Sequence, residues 1–452
     1  MSGTAGLSAP APGTVARALE RARSPYLLAV LAQGVVSGFH FALNLVLLRL
    51  VAPEQYGLFA FAFVLALFAS AVNNALIATP LTVWTPVVRD PAERAAQEGL
   101  FSALNLALAA ALALAGLLWT WLDPDALAST GLGTTAFVAL YAARHYSRSA
   151  GYARMRPLVT AAGDLTYVAV GALGVGALAL GSRGVPIGAV LALLALANLA
   201  AMLVEHLGRE GRPRLLRPPS LARLGGYREI WHQSRWALVG SLTTLFLAQA
   251  HSLLVVWADG PGAFAPLAAG LVLFGPVRIA LLTWQNMVKP ELAVALDERR
   301  LDEVRARLAR ANLAMGLAVL ALGALLALGW PWIHAFLYER RYADAPMGTI
   351  VATWCAITFC AALYNVPSAA LQALRDFRRL AMASVWGALV SGVAVTALLV
   401  ATEPAYTLLG VLAAEAFMAV YLARTLARAL ARAEARDRAP VEPGPGPSEA
   451  LA

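Results

Sequence analysis

The sequence predicts an all-α, polytopic membrane protein with about 12 transmembrane helices, enough apolar chain to cross a bilayer repeatedly. The 452 residues are 60% hydrophobic and only 13% charged, whereas a soluble domain carries about 25% charged residues. Apolar runs of about 20 residues, the length that crosses a hydrocarbon core, recur along the whole chain. Matching landmarks in the two halves further predict two six-helix lobes.

The chain begins with a Pro- and Gly-rich tail, and the first apolar span is predicted over Pro25–Leu50. A hinge at Pro53 then leads into a second span over Gly57–Thr79. The residues Asp90-Pro91-Ala92-Glu93 have the pattern of a helix start, with Asp as N-cap and Pro in the first turn. Further spans are predicted at Leu100–Trp121, Leu132–Ser147, Pro157–Leu180, Gly184–Leu203, Arg235–Trp257, Phe264–Val288, Ala311–Ile333, Gly348–Leu371, Leu380–Ala401 and Ala405–Ala423.

The basic residues support this order of spans. Loops on the cytoplasmic side of a membrane are enriched in Lys and Arg. If both termini are cytoplasmic, all 35 basic residues fall in cytoplasmic segments except Arg49, Arg183, Arg278, Arg340 and Arg341. The predicted organisation is therefore a cytoplasmic tail (1–24), a first lobe (25–206), a basic cytoplasmic linker (207–232), a second lobe (233–430) and a cytoplasmic C-terminal tail (431–452).

Two landmarks indicate that the second lobe repeats the first. Pro53 has a counterpart in Pro261, 208 residues later, and the pair Trp119-x-Trp121 returns as Trp330-x-Trp332 at an offset of 211. Each lobe has an even number of spans, so both enter the membrane from the same side. This predicts a parallel repeat with a pseudo-two-fold axis along the membrane normal.

The loops between the spans exclude several functions. Each predicted external loop is short, and the chain contains no phosphate-binding GxxxxGK[ST], HExxH or GxSxG motif. We therefore expect no enzyme activity, no cofactor and no metal site. The net charge of +9 comes from basic residues in the predicted cytoplasmic segments, as expected for a membrane protein, so it does not indicate nucleic-acid binding. Any transport work must draw on an ion gradient, the membrane potential or a substrate gradient.

Arg278 is the first candidate for substrate binding, because it lies in the middle of a predicted span, where ionisable groups are costly. It shares a helix face with Gln285 and Lys289. A guanidinium suits bidentate phosphate binding, although a structural pairing of Arg278 with Glu415 is the alternative. For Arg49, at the end of the first span, substrate binding and snorkelling to the interface are both open.

Further candidates are uncharged polar residues in the first spans of each predicted lobe. His40 and Asn44 are four residues apart in the first span, Asn73 and Asn74 lie in the second, and His251 lies in the seventh. Such residues often connect neighbouring helices by hydrogen bonds. Their clustering on equivalent spans also fits a shared hydrophilic cavity.

Asp164 and Glu415 are the carboxylates predicted within spans, and two interpretations stand for each. One is a proton- or sodium-coupling site, since burial favours a neutral carboxyl group. The other is a structural ion pair, for which Arg154 or Arg156 is the expected partner of Asp164. The polar stripe at Tyr141–Arg148 is expected to be a cytoplasmic anchor of its span.

The hinge LLRLVAPEQYGLFAFAFVL resembles the first helical junction of bacterial oligosaccharide flippases. Pro53, Glu54, Tyr56, Gly57 and Phe59 match a small-Pro-Glu-x-Tyr-Gly-x-Phe pattern. The segments GPGAFAPLAAGLVLFGPVR and NMVKPELA, and FLY through YADA, are also similar to this family. These proteins are the Wzx-type O-antigen and exopolysaccharide translocases of the multidrug/oligosaccharidyl-lipid/polysaccharide (MOP) exporter superfamily.

The resemblance implies two lobes around a central cavity, with alternating access by rocking. It implies transport of a polyprenyl-pyrophosphate-linked oligosaccharide from the inner to the outer leaflet of the bacterial inner membrane, with Arg49 and Arg278 meeting the pyrophosphate. H+ or Na+ would be the coupling ion, at Asp164 or Glu415. The implied partners are membrane lipids and a polysaccharide polymerase or export machinery. Alternatives are a cation-coupled multidrug-type exporter of the same superfamily, a lipid II flippase, although those usually carry two further spans, and an integral membrane enzyme of glycan assembly.

Overall fold

A computed structural model describes residues 25–123, 130–181, 184–207, 220–221, 223–298, 300–374 and 376–438. Within these ranges the chain forms fourteen α-helices and no strand. The predicted N-terminal tail, residues 439–452 of the predicted C-terminal tail and half of the predicted basic linker (208–219 and 222) lie outside the described residues. The prediction of an all-α protein is confirmed.

The first half of the chain forms seven α-helices, and their caps follow the local sequence. The predicted helix start before the third span is confirmed, because Asp90 accepts hydrogen bonds from the backbone N–H groups of Ala92 (3.1 Å) and Glu93 (3.2 Å). A π-helical turn over Asn74–Ala78 joins α2 to α3. The helices are α1 Pro25–Leu50, α2 Pro53–Asn73, α3 Thr79–Trp84, α4 Pro91–Leu122, α5 Gly131–Ala153, α6 Pro157–Gly181 and α7 Ile187–Leu207.

The second half also forms seven α-helices, and here one predicted boundary is wrong. The predicted span Phe264–Val288 is interrupted at residues 273–274, between α8 and α9. The segment α8 consists of two helical parts that meet at Gly260, whose non-helical φ of 82° is a conformation that glycine adopts without steric cost, so the predicted break between Trp257 and Phe264 is present. The helices are α8 Tyr227–Val272, α9 Gly275–Asp297, α10 Leu301–Leu328, α11 Trp330–Ile333, α12 Met347–Ala373, α13 Phe377–Ala401 and α14 Thr407–Arg438.

Ten helical segments in the described residues are long and apolar enough to cross a membrane. The helices α5 and α9 are not among them, although each has 23 residues and is long enough to span. Their composition is more polar, with Arg144 and Arg148 in α5 and Arg278 and Lys289 in α9. The chain is a multi-pass membrane protein. The two long helices outside the ten apolar segments, α5 and α9, contain the charged residues Arg144, Arg148 and Arg278 that are discussed below.

The chain divides into two compact units. The first contains Met1–Leu245, Val255–Val272 and Leu337–Ala343, and the second contains Phe246–Leu254, Leu273–Phe336 and Asp344–Ala452. In the first unit α7 packs against α5 and α6, and α5 also contacts α2 and α4. In the second unit α12 packs against α9, α10 and α14, while α13 packs against α14.

The first unit contains both hinge turns identified in the sequence. Gly57 packs so closely on the second hinge that a Cβ there would lie 1.9 Å from the carbonyl oxygen of Pro261. The guanidinium of Arg341 donates hydrogen bonds of 3.1 Å to the carbonyl oxygens of Arg49 and Leu50, at the end of α1. Segments far apart in the sequence therefore meet around the first hinge.

Candidate functional site

The second unit contains a cavity of about 370 Å³ between helices α8, α9, α12 and α14. Its walls are mostly apolar, and Trp354 is the largest apolar side chain among them. The charged lining groups are Arg278 and Glu415. Its size and its few convergent polar groups are typical of ligand pockets, which measure about 300–1,000 Å³.

The interruption before α9 determines the position of Arg278. α9 begins at Gly275, and its first turn is closed by the bond from the Arg278 N–H to the carbonyl oxygen of Phe274 (3.1 Å). The side chain of Arg278 is exposed at the cavity rather than buried in a helix interface. The sequence placed Arg278 in mid-span; the structure places it in the first turn of a new helix.

Glu415 belongs to α14 and is 4% exposed. The hydroxyl of Tyr364 on α12 is hydrogen-bonded to its carboxylate. The charge of Arg278 also acts on Glu415, yet none of the ion pairs within 4.0 Å found in the described part of the chain involves Arg278. The structure thus places a guanidinium and a carboxylate at one cavity without pairing them directly.

Two other candidates belong to the same pair of helices, α8 and α9. His251 is 1% exposed and lies edge-on to the Trp354 ring, with ring centroids 5.4 Å apart. It also interacts electrostatically with Arg278. Its Nε2 is 3.1 Å from the hydroxyl of Ser252. His251 therefore lies behind the cavity wall. Gln285 is on α9, and its side chain is outside the described part of the structure.

The candidates in the first unit form separate local groups. His40 stacks on Tyr167 with ring centroids 5.5 Å apart. Asn44 accepts a 3.0 Å hydrogen bond from the hydroxyl of Tyr56, which connects α1 to the hinge. Arg49 is exposed at the end of α1, where its carbonyl oxygen accepts from Arg341.

The two asparagines at the end of α2 point to different surroundings. Asn73 is fully buried and donates a 2.8 Å hydrogen bond to Asn105 of α4. Asn74 is exposed, and its Oδ1 lies 3.3 Å from both His145 Nε2 and the Thr79 hydroxyl, which donates to it. Asn44 and Asn73 thus connect helices, the bond type expected for polar groups in membrane spans.

The expected partner of Asp164 was wrong. Asp164 is 1% exposed and pairs with Arg144 at 2.6 Å and with Arg148 at 3.1 Å. Arg154 pairs with Glu98 on α4 instead, at 2.5 Å. The reason is that α5 continues to Ala153, so α5 and α6 form an antiparallel hairpin in which residues equally distant from the turn face each other.

Arg144 belongs to the stripe Tyr141–Arg148, which was expected to anchor its span on the cytoplasmic side, and the structure buries it. This residue is 5% exposed, and its guanidinium lies 4.7 Å from the centre of the Tyr167 ring. Its Nε is 3.9 Å from Glu205. A spacing argument would have found the pairing, because Arg144 and Arg148 flank the position that mirrors Asp164 across the turn.

Glu205 was missed by sequence reasoning, which ended the sixth span at Leu203 and named no candidate beyond it. It lies instead near the end of α7, fully buried, and accepts a hydrogen bond from the Ser147 hydroxyl. We call Arg144, Arg148, Asp164 and Glu205 the buried charge cluster. It contains two positive and two negative side chains, so it is formally neutral.

Several known structures have a similar fold. No family model matches the sequence, and no curated protein matches it with significant similarity. The fold is similar to "a multidrug resistance MATE family transporter of the MOP superfamily" in an inward-facing conformation, with a TM-score of 0.66 and 14% identity over 91% of this chain and all of the other (100%).

Two further structures with a similar fold carry different descriptions. The lipid II flippase MurJ, in an inward closed conformation, has a TM-score of 0.64 and 12% identity, covering 90% of each chain. A MOP superfamily transporter from Pyrococcus furiosus, described by the "reverse polarity" of its binding pocket, has a TM-score of 0.57 and 12% identity, covering 91% of this chain and 94% of the other. The fold is that of MOP superfamily transporters, and these neighbours are transporters rather than enzymes.

Proposed function

We propose that this protein flips a polyprenyl-pyrophosphate-linked oligosaccharide from the inner to the outer leaflet of the bacterial inner membrane by alternating access. The observation that carries the proposal is the exposed guanidinium of Arg278 at the cavity of the second unit. The carried glycan is a repeat unit of O-antigen, capsule or exopolysaccharide. The same proposal places both termini in the cytoplasm, beside the enzymes that make the lipid-linked substrate.

The chemistry of Arg278 supports an anionic substrate. A guanidinium binds phosphate through two parallel N–H···O bonds, which gives orientation as well as attraction. Because Arg278 is exposed at the cavity, its guanidinium is accessible to such a group.

Glu415 on the same cavity favours a second candidate, the multidrug-type exporter. A carboxylate beside Trp354 and Tyr364 suits an organic cation, through charge and through the faces of aromatic rings. Such an exporter would use Glu415 for the substrate or for a coupling ion. An integral membrane enzyme of glycan assembly is not favoured by any observation on this cavity.

Ion coupling by Asp164 or Glu415 remains part of the proposal. Glu415 is the stronger candidate, because it borders the cavity and has no ion pair among those found in the described residues. Asp164 already pairs with two arginines, which favours the structural interpretation. H+ and Na+ are the ions considered, and a polysaccharide polymerase or export complex is the expected protein partner.

The test uses cells lacking the gene, complemented with wild type, Arg278→Ala, Glu415→Gln or Arg424→Ala. Arg424 is an exposed arginine in the middle of α14, outside the lining of the cavity, and serves as the matched control. Surface glycan is quantified by immunoblot, the protein in the membrane fraction is measured, and efflux of a cationic dye is followed in the same cells.

We expect Arg278→Ala to abolish surface glycan at an unchanged membrane level of the protein, and Arg424→Ala to retain it. Normal surface glycan in Arg278→Ala would remove this residue from the mechanism. Dye efflux that depends on Glu415 but not on Arg278, with glycan unaffected by either variant, would replace the flippase by the exporter.

A further inference from the structure

The carboxylate of Glu415 is only partly satisfied. The side chain is 4% exposed and lines the cavity, and Tyr364 binds the carboxylate. Its Oε2 is buried and has no hydrogen-bond partner in the described residues. A buried polar oxygen without a partner is costly, and its position at a cavity wall favours a ligand that donates to it.

Arg278 presents the opposite charge to the same space. Its side chain is exposed at the cavity, and its charge reaches Glu415, Tyr364 and His251. A direct ion pair would neutralise both groups, but the pairs within 4.0 Å in the described part of the chain leave Arg278 out. The two charges are held at one cavity but apart.

The separation of Arg278 from Glu415 determines which charges a ligand in the cavity can carry. A purely anionic group near Arg278 would also be repelled by Glu415, and a purely cationic group would be repelled by Arg278. A ligand with one group of each sign, spaced like the two side chains, satisfies both at once. Such matched charges give specificity because the wrong arrangement leaves a buried charge unpaired.

The size of the cavity limits what the ligand can be. About 370 Å³ is near the lower end of the range of about 300–1,000 Å³ for ligand pockets. One substituted sugar fits this space, whereas a complete oligosaccharide repeat does not. Tyr364 and Asn365 add polar groups to the lining, and Trp354 and Ile357 add apolar surface.

We propose that the cavity of the second unit is a subsite for a zwitterionic sugar residue, with an ammonium group at Glu415 and an acidic group at Arg278. The acidic group is a phosphate or carboxylate on the sugar or on its immediate linkage. This inference deepens the proposed function. It rests on that function in one respect, which is that the cavity is treated as part of the path of the transported substrate.

The experiment compares four small sugars by their binding to purified protein in detergent, with isothermal titration calorimetry as the measurement. Glucosamine 6-phosphate carries both charges, glucose 6-phosphate only the negative one, glucosamine only the positive one, and glucose neither. We expect glucosamine 6-phosphate to bind about tenfold or more tightly than either singly charged sugar, since tenfold corresponds to about 1.4 kcal/mol.

Two variants that each remove one charge and keep a polar side chain assign each charge to its residue. In Glu415→Gln the advantage of glucosamine 6-phosphate over glucose 6-phosphate should disappear, and in Arg278→Gln its advantage over glucosamine should disappear. Arg424→Gln should retain the wild-type ranking. Each variant is first checked by gel filtration and by its melting midpoint without ligand.

The wild-type ranking alone decides the proposal if a variant fails to fold. Equal binding of glucosamine 6-phosphate and either singly charged sugar would overturn it, as would absence of binding by all four sugars. The proposed function is tested separately, by glycan export in cells. If the purified protein binds glucosamine 6-phosphate as expected but cells lacking the gene still display normal surface glycan, the subsite is supported and the flippase function is refuted.

Discussion

The substitution Asp164→Asn tests whether the buried charge cluster stabilises the fold. The change keeps the size of the side chain but removes the negative charge shared by Arg144 at 2.6 Å and Arg148 at 3.1 Å. Arg144 would keep only Glu205, whose carboxylate lies 3.9 Å away. Since Arg144 is 5% exposed, water cannot replace the lost partner.

The expected magnitude follows from the degree of burial. Removing one partner of a buried ion pair costs about 3–5 kcal/mol, because the remaining charge is left desolvated. The whole free energy of unfolding of a typical domain is about 5–15 kcal/mol. We therefore expect Asp164→Asn to lower the stability of the first unit by a large fraction of its total.

Glu93→Gln is the matched control. Glu93 pairs with Arg223 at 2.9 Å, but the two side chains are 45% and 47% exposed. Exposed pairs contribute about 0–1 kcal/mol, so this variant should unfold close to wild type. Reversible unfolding by sodium dodecyl sulfate in mixed micelles, followed by tryptophan fluorescence, measures both.

The reasoning is refuted if Asp164→Asn lies within about 1 kcal/mol of Glu93→Gln, the upper value for an exposed pair. A variant that keeps its stability but loses transport would instead support the ion-coupling interpretation of Asp164. Adding Arg144→Met to Asp164→Asn should recover part of the loss, because it removes the stranded charge. A double variant that is worse than the sum of the two single variants would also contradict the ion-pair account.

Two further predictions concern packing. Gly57→Ala should lower the yield of folded protein on gel filtration, because the added Cβ would lie 1.9 Å from the carbonyl oxygen of Pro261. Gly38→Ala, with nothing within 4 Å of the new Cβ, should be neutral or stabilising by about 0.5–1 kcal/mol; equal behaviour of the two variants would contradict the close packing of the hinges. Asn73→Leu should cost about 1–3 kcal/mol by leaving the Asn105 amide buried without its partner. The double change of Asn73 and Asn105 to Leu should restore most of this in the same unfolding assay, and no restoration would show that the bond is not the cause.

The sequence determined the all-helical membrane fold, because the length and spacing of apolar runs depend only on the thickness of the bilayer and on local composition. Local chemistry also gave the first span at Pro25–Leu50 and the Asp90 cap. It further singled out Arg278 and Glu415, since charges within apolar runs are conspicuous in any sequence.

Which of those charges meet was decided by tertiary structure alone. Asp164 pairs with Arg144 and Arg148 because α5 extends to Ala153 and packs antiparallel to α6. Glu205 joins them because α7 packs against α5, a contact between residues 58 positions apart. Arg278 and Glu415 share a cavity because α9 starts anew at Gly275 and lies with α14 around it. Apolar periodicity is a local property that the sequence displays directly, whereas the pairing of charges depends on which helix faces meet, and this is set by packing over the whole chain.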